Sequence, residues 1–187
     1  MIRLARPDDA PALAQLAEQT FVEAFVHGVE EGGFALGYPE DDLAVFLQQS
    51  YATERVAQWI ADPAALVLIA ERGGRAVAYA HAGDNTLPYP GAGPGDGELK
   101  RIYVRKSAQG IGLGRMLLEQ ALTWLGARPV YIGVWSGNHK AQRLYGHYGF
   151  RTVGAYQFSV GATLDDEVIM GRAASAASAF PIAERPV

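Results

Sequence analysis

Residues 98–115 read ELKRIYVRKSAQGIGLGR, a strand-like run that passes directly into three alternating glycines. The first part predicts a strand over residues 98–104, because it ends in β-branched and aromatic residues. The glycines let the chain turn tightly into a helix predicted over residues 112–126. Successive backbone N–H groups and the positive end of the helix dipole then converge on one point. The segment therefore predicts an anion site that suits a pyrophosphate.

The spacing of this turn narrows the choice of phosphate ligand. Gly114 is followed by Arg115, not by the Lys and Ser or Thr of an ATP-binding loop. The strand predicted over residues 130–135 ends without the acidic residue of a dinucleotide site. Arg115, Arg105 and Lys106 are the side chains available to add positive charge. The alternative that this segment is a structural turn without a ligand stays open at this point.

Periodicity predicts the other elements, and together they form one domain of mixed α/β class. A strand, a helix and a strand in succession require the first and last strands of that unit to run parallel. The loop over residues 84–97 is rich in Pro and Gly and is predicted to be a mobile surface loop. Residues 173–187 are predicted to be a disordered tail. The predicted strands are residues 1–5, 66–70, 76–81, 98–104, 130–135, 152–160 and 167–171. The predicted helices are one that follows residues 7–9 and carries the periodic apolar residues 13–25, one from about residue 39 to 51, a short one capped by Thr53 that carries residues 56–60, and those over residues 112–126 and 138–148.

A second motif follows at residues 133–150, which read GVWSGNHKAQRLYGHYGF. Its Asn138, Ala141, Leu-Tyr and Gly-Phe fall at the intervals of the second signature of the GNAT acetyltransferases. The pattern Gln-x-x-Gly-x-Gly at residues 109–114 resembles the coenzyme A pyrophosphate loop of the same family. The resemblance covers roughly residues 2–170 and implies a GNAT domain over residues 1–172. It also implies the family's fold: a central mixed, largely antiparallel twisted sheet with a splayed parallel strand pair, flanked by helices.

The resemblance implies acetyl-CoA as acetyl donor and a set of residues that contact it. In the family, the Asn contacts the cofactor and the Tyr lies near its sulfur. Periodicity by itself reads Asn138 as a helix cap and Tyr145 as a core residue. The implied cofactor contacts are Ile102, Tyr103, Val104, Gln109, Gly110, Ile111, Gly112, Leu113, Gly114, Arg115, Asn138 and Tyr145.

Three catalytic roles follow from the same resemblance. Glu98, eleven residues before Gln109, matches the family's base, although a surface acid at a strand end is an equal reading. A bulge that frees the backbone N–H of Val104 matches the family's oxyanion donor. Tyr145 is expected to protonate the leaving thiolate.

The acceptor is expected to be a primary amine of a small molecule. The residues of both motifs are similar to those of the PaiA-like spermidine and spermine acetyltransferases. A polyamine-like acceptor is therefore favoured. An acceptor amine on a peptide or protein, and an acyl-CoA sensor without turnover, are the alternatives. A homodimer is common in the resembling family. The acidic residues available to a polyamine are Glu30, Glu31, Asp84, Asp96, Asp165 and Asp166.

Composition excludes several other classes. The net charge of −4 and pI near 5.5 argue against nucleic acid as a partner. The chain has no cysteine, and its histidines lack metal-ligand spacing, so no metal site is expected. Ser136 does not stand in Gly-x-Ser-x-Gly, which disfavours a nucleophile-elbow hydrolase. The absence of a long apolar run or of a leader at residues 1–6 predicts a soluble cytoplasmic protein with no membrane contact. The histidines are His27, His81, His139 and His147.

Overall fold

The structure is a computed structural model that describes residues 1–26 and 34–174. Its strands are β1 (Ile2–Leu4), β2 (Leu66–Arg72), β3 (Arg75–Asp84), β4 (Gly97–Val104), β5 (Val130–Trp135), β6 (Arg151–Val160) and β7 (Thr163–Arg172). Its helices are α1 (Ala10–Phe25), α2 (Glu40–Tyr51), α3 (Thr53–Ala61), α4 (Leu113–Leu125) and α5 (His139–His147). The strands form a seven-stranded sheet in the order β1-β2-β3-β4-β5-β7-β6. Neighbouring strands are antiparallel except for the parallel pair of β4 and β5, which confirms the predicted fold class.

Two details of the predicted elements change. Thr53 is of a residue type that favours the N-cap of a helix, but it is the first helical residue of α3, and Ala52 is the N-cap without a side-chain hydrogen bond. The loop after β3 is irregular as predicted, but it is anchored, since the ring of its Tyr89 lies 5.2 Å from that of Tyr131. His27, Glu30, Glu31 and residues 175–187, which make up most of the predicted tail, lie outside the described residues.

The parallel strands β4 and β5 separate soon after they meet. Their pairing is limited to Gly97 with Val130 and Glu98 with Tyr131, although both strands continue for several residues. At the joined end, the N–H of Gly97 donates a 2.8 Å hydrogen bond to the carbonyl oxygen of Pro129, directly before β5. A Cβ on Gly97 would lie 2.7 Å from Leu125 Cδ2, so β4 also packs tightly against the end of α4 there. The rest of the two strands leaves a gap in the middle of the sheet, and unpaired backbone groups line it.

The sheet separates two hydrophobic layers. One face packs against α4 and α5 around Leu99, Leu117 and Leu118, which are all fully buried. The other face packs against α1, α2 and α3 around Leu13 and Tyr79. Burying one such large apolar side chain contributes about 1.5–3 kcal/mol, so both layers hold the sheet in place.

A bulge in the pairing of β3 with β4 controls which side chains face the second layer. Arg101 pairs with His81 and Leu99 with Ala82, so Lys100 is an extra residue in β4. Alternation places Glu98 and Lys100 on one face, and the extra residue turns Arg101 to that face as well. The bulge predicted in this strand is present, but it lies at Lys100, and Val104 itself pairs regularly with Ala78.

Candidate active site

A pocket of about 120 Å³ lies on the sheet face covered by α1 and α2, beside the gap between β4 and β5. Aromatic rings form most of its wall, and five charged side chains enter it. The bulge in β4 supplies three of those charges, and β7 supplies the other two. The lining residues are Phe21, Phe25, Tyr38, Phe46, Tyr51, Tyr103, Trp135, Tyr156 and Phe158, with Glu98, Lys100, Arg101, Gly133, Asp165 and Glu167.

Glu98, the predicted base, lines this pocket but is heavily engaged. Its Oε2 accepts hydrogen bonds from the backbone N and Oγ1 of Thr86, at 2.7 and 2.8 Å. The same oxygen accepts a 2.8 Å charge-assisted bond from Nζ of Lys100. The residue is 7% exposed, so it is not the surface acid of the alternative reading. An amine that used Oε2 would have to compete with three donors already in place.

Glu167 is the carboxylate that the sequence analysis missed. It lines the pocket, and its Oε2 accepts a 2.5 Å hydrogen bond from the hydroxyl of Tyr156. Burial raises the pKa of Glu167 to about 7, the hydrogen bond from Tyr156 lowers it, and the charges of Asp165 and Glu98 raise it further. A carboxyl group with a pKa near neutrality is suited to accept a proton at working pH.

Strand alternation is the signal that could have placed Glu167 on the face of Asp165. Along β7, Asp165 and Glu167 share one face, and Asp166 points to the other. Asp165 lines the pocket and accepts a hydrogen bond from the Tyr38 hydroxyl, whereas Asp166 is exposed.

Gly133 on β5 makes room for the Tyr156–Glu167 pair. A Cβ at Gly133 would lie 2.5 Å from the Tyr156 hydroxyl and 2.7 Å from Glu167 Oε2. Contacts this short are not tolerated, so any side chain at this position would displace one of the two groups. The glycine of the second sequence motif thus has a role in the pocket.

The other acids proposed for a polyamine lie elsewhere. Asp84 pairs with Arg128 at 3.0 Å. Asp96 accepts a 2.7 Å hydrogen bond from the backbone N of Gly93 within the loop. Neither lines the pocket, so Asp165 is the one member of that predicted set that does so among the described residues.

The glycine turn lies on the other side of the gap, at the start of α4. Gly110 and Gly112 have φ of 81° and 85°, a left-handed conformation that glycine adopts without strain. Gly112 is the N-cap of α4, and no side chain caps the first turn of the helix. The first N–H groups of a 13-residue helix are therefore left for another acceptor, as the anion-site prediction requires.

Backbone geometry places this turn against the end of β4. Nε2 of Gln109 donates a 3.1 Å hydrogen bond to the carbonyl oxygen of Val104. A Cβ on Gly114 would lie 3.4 Å from Val104 Cγ2, so the helix start touches the strand. The N–H of Arg105 bonds to Val77 on β3, and alternation therefore turns the N–H of Val104 toward the gap. The separation of the strands, not a bulge, leaves that N–H unpaired.

Several side chains predicted to contact the cofactor have partners within the protein. Arg115 pairs with Glu119 at 2.9 Å on the helix surface. Oδ1 of Asn138 accepts a 3.0 Å hydrogen bond from the N of Ala141, which confirms its reading as a helix cap. Tyr103 stacks on the buried Tyr79 and points into the pocket. Of the remaining predicted contacts, Ile102 and Leu113 pack against the core on the α4 side, and Ile111 is 57% exposed.

Tyr145 on α5 is 5% exposed, as its reading as a core residue predicts, and its ring lies 6.0 Å from that of Phe150. Burial raises the pKa of its phenol above the ordinary value, so the group stays protonated. Burial also raises the pKa of Tyr103, with smaller contributions that include Glu167 and Tyr145. Tyr145 and Glu167 therefore both act electrostatically on Tyr103, which lies on β4 beside the gap.

Comparison with known proteins identifies this arrangement. The sequence profile of the Acetyltransferase (GNAT) family matches residues 16–150, which is more than half of the chain. The chain belongs to the GNAT family. It is therefore an acyltransferase of the N-acetyltransferase type.

Individual relatives of this GNAT protein agree with the assignment. An uncharacterised N-acetyltransferase of Mycobacterium bovis is 31% identical over 170 residues, which are 88% of this chain and 97% of the relative. An uncharacterised N-acetyltransferase of Lactobacillus delbrueckii subsp. lactis is 25% identical over 169 residues, covering 88% and 92% of the two chains.

Two solved structures share the fold. The PaiA N-acetyltransferase of Thermoplasma acidophilum, in complex with coenzyme A, has a TM-score of 0.69 at 16% identity, over 92% of this chain and 98% of that one. The yncA putative acetyltransferase of Salmonella typhimurium, with its cofactor acetyl-CoA, has a TM-score of 0.64 at 20% identity, over 98% of both chains.

The described part of the GNAT protein has neither a candidate membrane span nor a candidate metal centre. Within residues 1–26 and 34–174, no helix is both long and apolar enough to cross a membrane. Across the same ranges, no group of three or more histidines and carboxylates is placed to hold a metal ion.

Proposed function

We propose that this GNAT protein transfers an acetyl group from acetyl-CoA to the primary amine of a small molecule, by direct attack of the amine on the thioester. One observation carries the proposal. The gap between β4 and β5 joins the uncapped start of α4 on one side to a pocket containing Glu167 on the other. A donor held by its phosphates on the first side would meet an acceptor held in the second.

The donor side consists mainly of backbone groups. The turn from Gln109 to Gly114 offers N–H groups at a helix start, which suits a pyrophosphate. The free edge of β4 near Ile102 and Val104 offers peptide groups for the amide-containing arm of the donor. Family neighbours crystallised with coenzyme A and acetyl-CoA support this choice of donor. When bound, the donor supplies an activated thioester.

Two carboxylates compete for the role of base. An alkyl ammonium has a pKa of about 10, so it must lose a proton before it can attack. Glu98 has the family's sequence position, but Thr86 and Lys100 occupy its Oε2. Glu167 has no ion-pair partner among the described residues and has a pKa of about 7. We assign Glu167 as the base, and we assign Glu98 to positioning the loop and Lys100.

Two further groups are suited to stabilise the negative charges that develop on the thioester oxygen and on the leaving sulfur. The N–H of Val104 faces the gap and is suited to stabilise the negative oxygen of the tetrahedral intermediate. Tyr145 remains protonated, and we assign it as the acid that protonates the leaving thiolate. Attack by the amine forms the C–N bond, and collapse of the tetrahedral intermediate then breaks the C–S bond, so that the products are an amide and, after protonation of the thiolate, a free thiol.

The pocket favours a small acceptor. A cavity of about 120 Å³ lined by aromatic rings suits a small ammonium group better than the surface of a protein. The aromatic wall and the carboxylates are compatible with the polyamine-like acceptor that the motifs favour. Lys100 and Arg101 offset part of that negative charge, so the pocket is not built for a polycation alone.

The release of free thiol tests the proposal. The purified chain is incubated with acetyl-CoA and a panel of primary amines, and calorimetry measures acetyl-CoA binding in parallel. Thiol release that depends on an amine supports acetyl transfer. Tight binding of acetyl-CoA without release for any amine supports the alternative of an acyl-CoA sensor, and no binding at all rejects both.

A further inference from the structure

We propose that Arg101 forms a subsite for an anionic oxygen group, so that the acceptor is an amine that also carries a carboxylate or a similar oxyanion. The inference deepens the proposed function and rests on it, because the same pocket would hold both ends of the acceptor. It narrows the substrate class from amines in general to amphoteric amines.

Aromatic rings hold the Arg101 guanidinium in place. Its Cζ lies 4.5 Å from the centre of the Trp59 ring and 5.8 Å from that of Tyr51. Trp59 in turn stacks on His81 with ring centres 4.9 Å apart. A guanidinium fixed by two rings keeps its planar fork of donors in one orientation, which suits a bidentate contact with a carboxylate.

No anion of the described residues neutralises this cation. Lys100, its neighbour, pairs with Glu98, whereas Arg101 forms no ion pair within the described ranges. Its side chain interacts with the uncharged Tyr51 hydroxyl, which leaves most of its five N–H donors for a ligand. The groups around it are uncharged: burial raises the pKa of Tyr51 and of Tyr103. Burial and then the charge of Arg101 lower the pKa of His81 to about 3, so that imidazole is neutral as well.

The guanidinium donors are accessible from the pocket. Arg101 lines the cavity and is half-buried, so a ligand in that space would contact its side chain. None of its nitrogens is among the fully enclosed side-chain atoms that lack a partner in the described part of the chain.

Carboxylates and the Arg101 cation line the same pocket. Burial raises the pKa of Tyr156, the carboxylates Glu167 and Glu98 raise it further, and Arg101 lowers it, so the two charge types act on one phenol. An ammonium beside Glu167 and an oxyanion beside Arg101 would complement both charges. A partly buried cation without a counter-ion is costly, and an apolar residue would pack on the same rings without that cost. Binding of an anion by Arg101 explains why the charge is kept.

Matched acceptors test the subsite. Thiol release is measured with L-amino acids, with the amines formed by their decarboxylation, with aminoalkylphosphonates and with spermidine. We expect kcat/KM to be roughly 10- to 100-fold higher for the best anionic acceptor than for its decarboxylated partner. The Arg101→Met variant keeps the length and packing of the side chain and should bring that ratio close to 1.

Two further variants complete the design. Arg55→Met removes a nearby positive charge on α3 that does not line the pocket, and it should leave the ratio unchanged. Arg101→Lys keeps the charge but not the fork of donors, and it should retain part of the preference. If Arg101→Met fails to fold, as judged by circular dichroism, Arg101→Lys carries the comparison.

A binding measurement separates this inference from the proposed function. Calorimetry with N-acetyl-L-amino acids and the matching N-acetylamines needs no turnover, so it reports on the subsite even if no amine releases thiol. Tighter binding of the anionic product, lost in Arg101→Met, supports the subsite. Equal binding or no binding of the two products, a preference for spermidine, or a ratio that Arg101→Met does not change would overturn it, while amine-dependent thiol release would still support acetyl transfer.

Discussion

Tyr156 and Glu167 lie directly opposite each other on β6 and β7, and the Tyr156 hydroxyl is 2.5 Å from Glu167 Oε2. Gly133 on the neighbouring strand leaves the space that this pair occupies. The phenol donates to the carboxylate and so favours its ionised form, while burial opposes ionisation. These opposing effects give Glu167 a pKa of about 7, so that the carboxyl group is close to half ionised at neutral pH. The residue lies at the wall of a pocket that opens on the gap in the sheet.

Glu167→Gln is predicted to lower kcat/KM for amine acetylation by about 100- to 10,000-fold, because it removes the proposed base. In the parent protein kcat/KM should rise with pH through about 7, since the base must be deprotonated, and the variant should lose that rise. Thiol release measured between pH 5.5 and 9 checks both points. The adjacent, exposed Asp166→Asn is the matched control and should retain the parent profile.

If kcat/KM of Glu167→Gln still rises with pH near 7, then a group other than Glu167 causes that rise. The same series on Glu98→Gln then decides between the two carboxylates. A full loss of activity in Glu98→Gln, with an unchanged Glu167→Gln, would restore the sequence-based choice of base.

Tyr156→Phe is predicted to shift the pH dependence to higher values. The hydroxyl lowers the pKa of Glu167 against the effect of burial, so its loss should raise that pKa above 7. Activity near neutral pH should fall and then recover at alkaline pH. Tyr148→Phe removes a phenol that bonds to Glu119 on the surface and is the control. A fall in activity that is the same at every pH would contradict the role of the hydroxyl in tuning Glu167.

Gly133→Ala is predicted to reduce turnover with little effect on acetyl-CoA binding. The added methyl group would lie within 2.7 Å of both the Tyr156 hydroxyl and Glu167 Oε2, so one of them must move. Gly146→Ala in α5 is the control, since a Cβ there meets no atom within 4 Å. Thiol release and calorimetry on both variants separate catalysis from donor binding. Parent-like turnover in Gly133→Ala would show that the pair is not needed in its present place.

The glycine turn and the strand pair beside it were predictable from sequence because each depends on local chemistry. Alternating glycines force a turn, and a strand, a helix and a strand in succession require a parallel pair. The boundaries of β5 agree with the predicted residues 130–135. Asn138 likewise caps α5 as its residue type indicates.

The pocket was less predictable because it depends on long-range register. The bulge at Lys100 turns Arg101 toward the pocket, and no local pattern in β4 marks it. Glu167 was overlooked beside Asp165 and Asp166, since its burial depends on Tyr156 across the hairpin and on Gly133 across the sheet. Because three strands together bury Glu167, the sequence of any one strand does not predict that burial.

Tyr145→Phe is predicted to lower kcat by about 100- to 10,000-fold, the usual contribution of a general acid. Acetyl-CoA affinity should change little, because the ring and its packing against Phe150 are retained. Single-turnover thiol release and calorimetry measure the two quantities separately. An unchanged kcat would leave Tyr145 with a packing role alone.

His81→Phe is predicted to change how stability depends on pH. The pKa of His81 in the folded protein is about 3, because burial and the nearby cations disfavour its charged form. In the unfolded chain it is about 6.5, so between these values the unfolded state binds a proton that the folded state does not. His81 therefore lowers stability as the pH falls below about 6.5, by about 1.4 kcal/mol per pH unit.

Glu167 acts in the opposite direction over much of the same range. Its folded pKa is raised from 4.5 to about 7, so its contribution to stability is fully present below pH 4.5 and is lost as the pH rises through 7. The two slopes offset each other in the parent protein between about pH 4.5 and 6.5. Removing His81 leaves the slope of Glu167, and the variant should gain stability toward acid relative to the parent. Urea unfolding at several pH values from 4.5 to 7.5 measures this difference, with the exposed His139→Phe as control for the added ring. Parallel pH profiles of His81→Phe and the parent would mean that His81 takes up a proton in the folded state as readily as in the unfolded one.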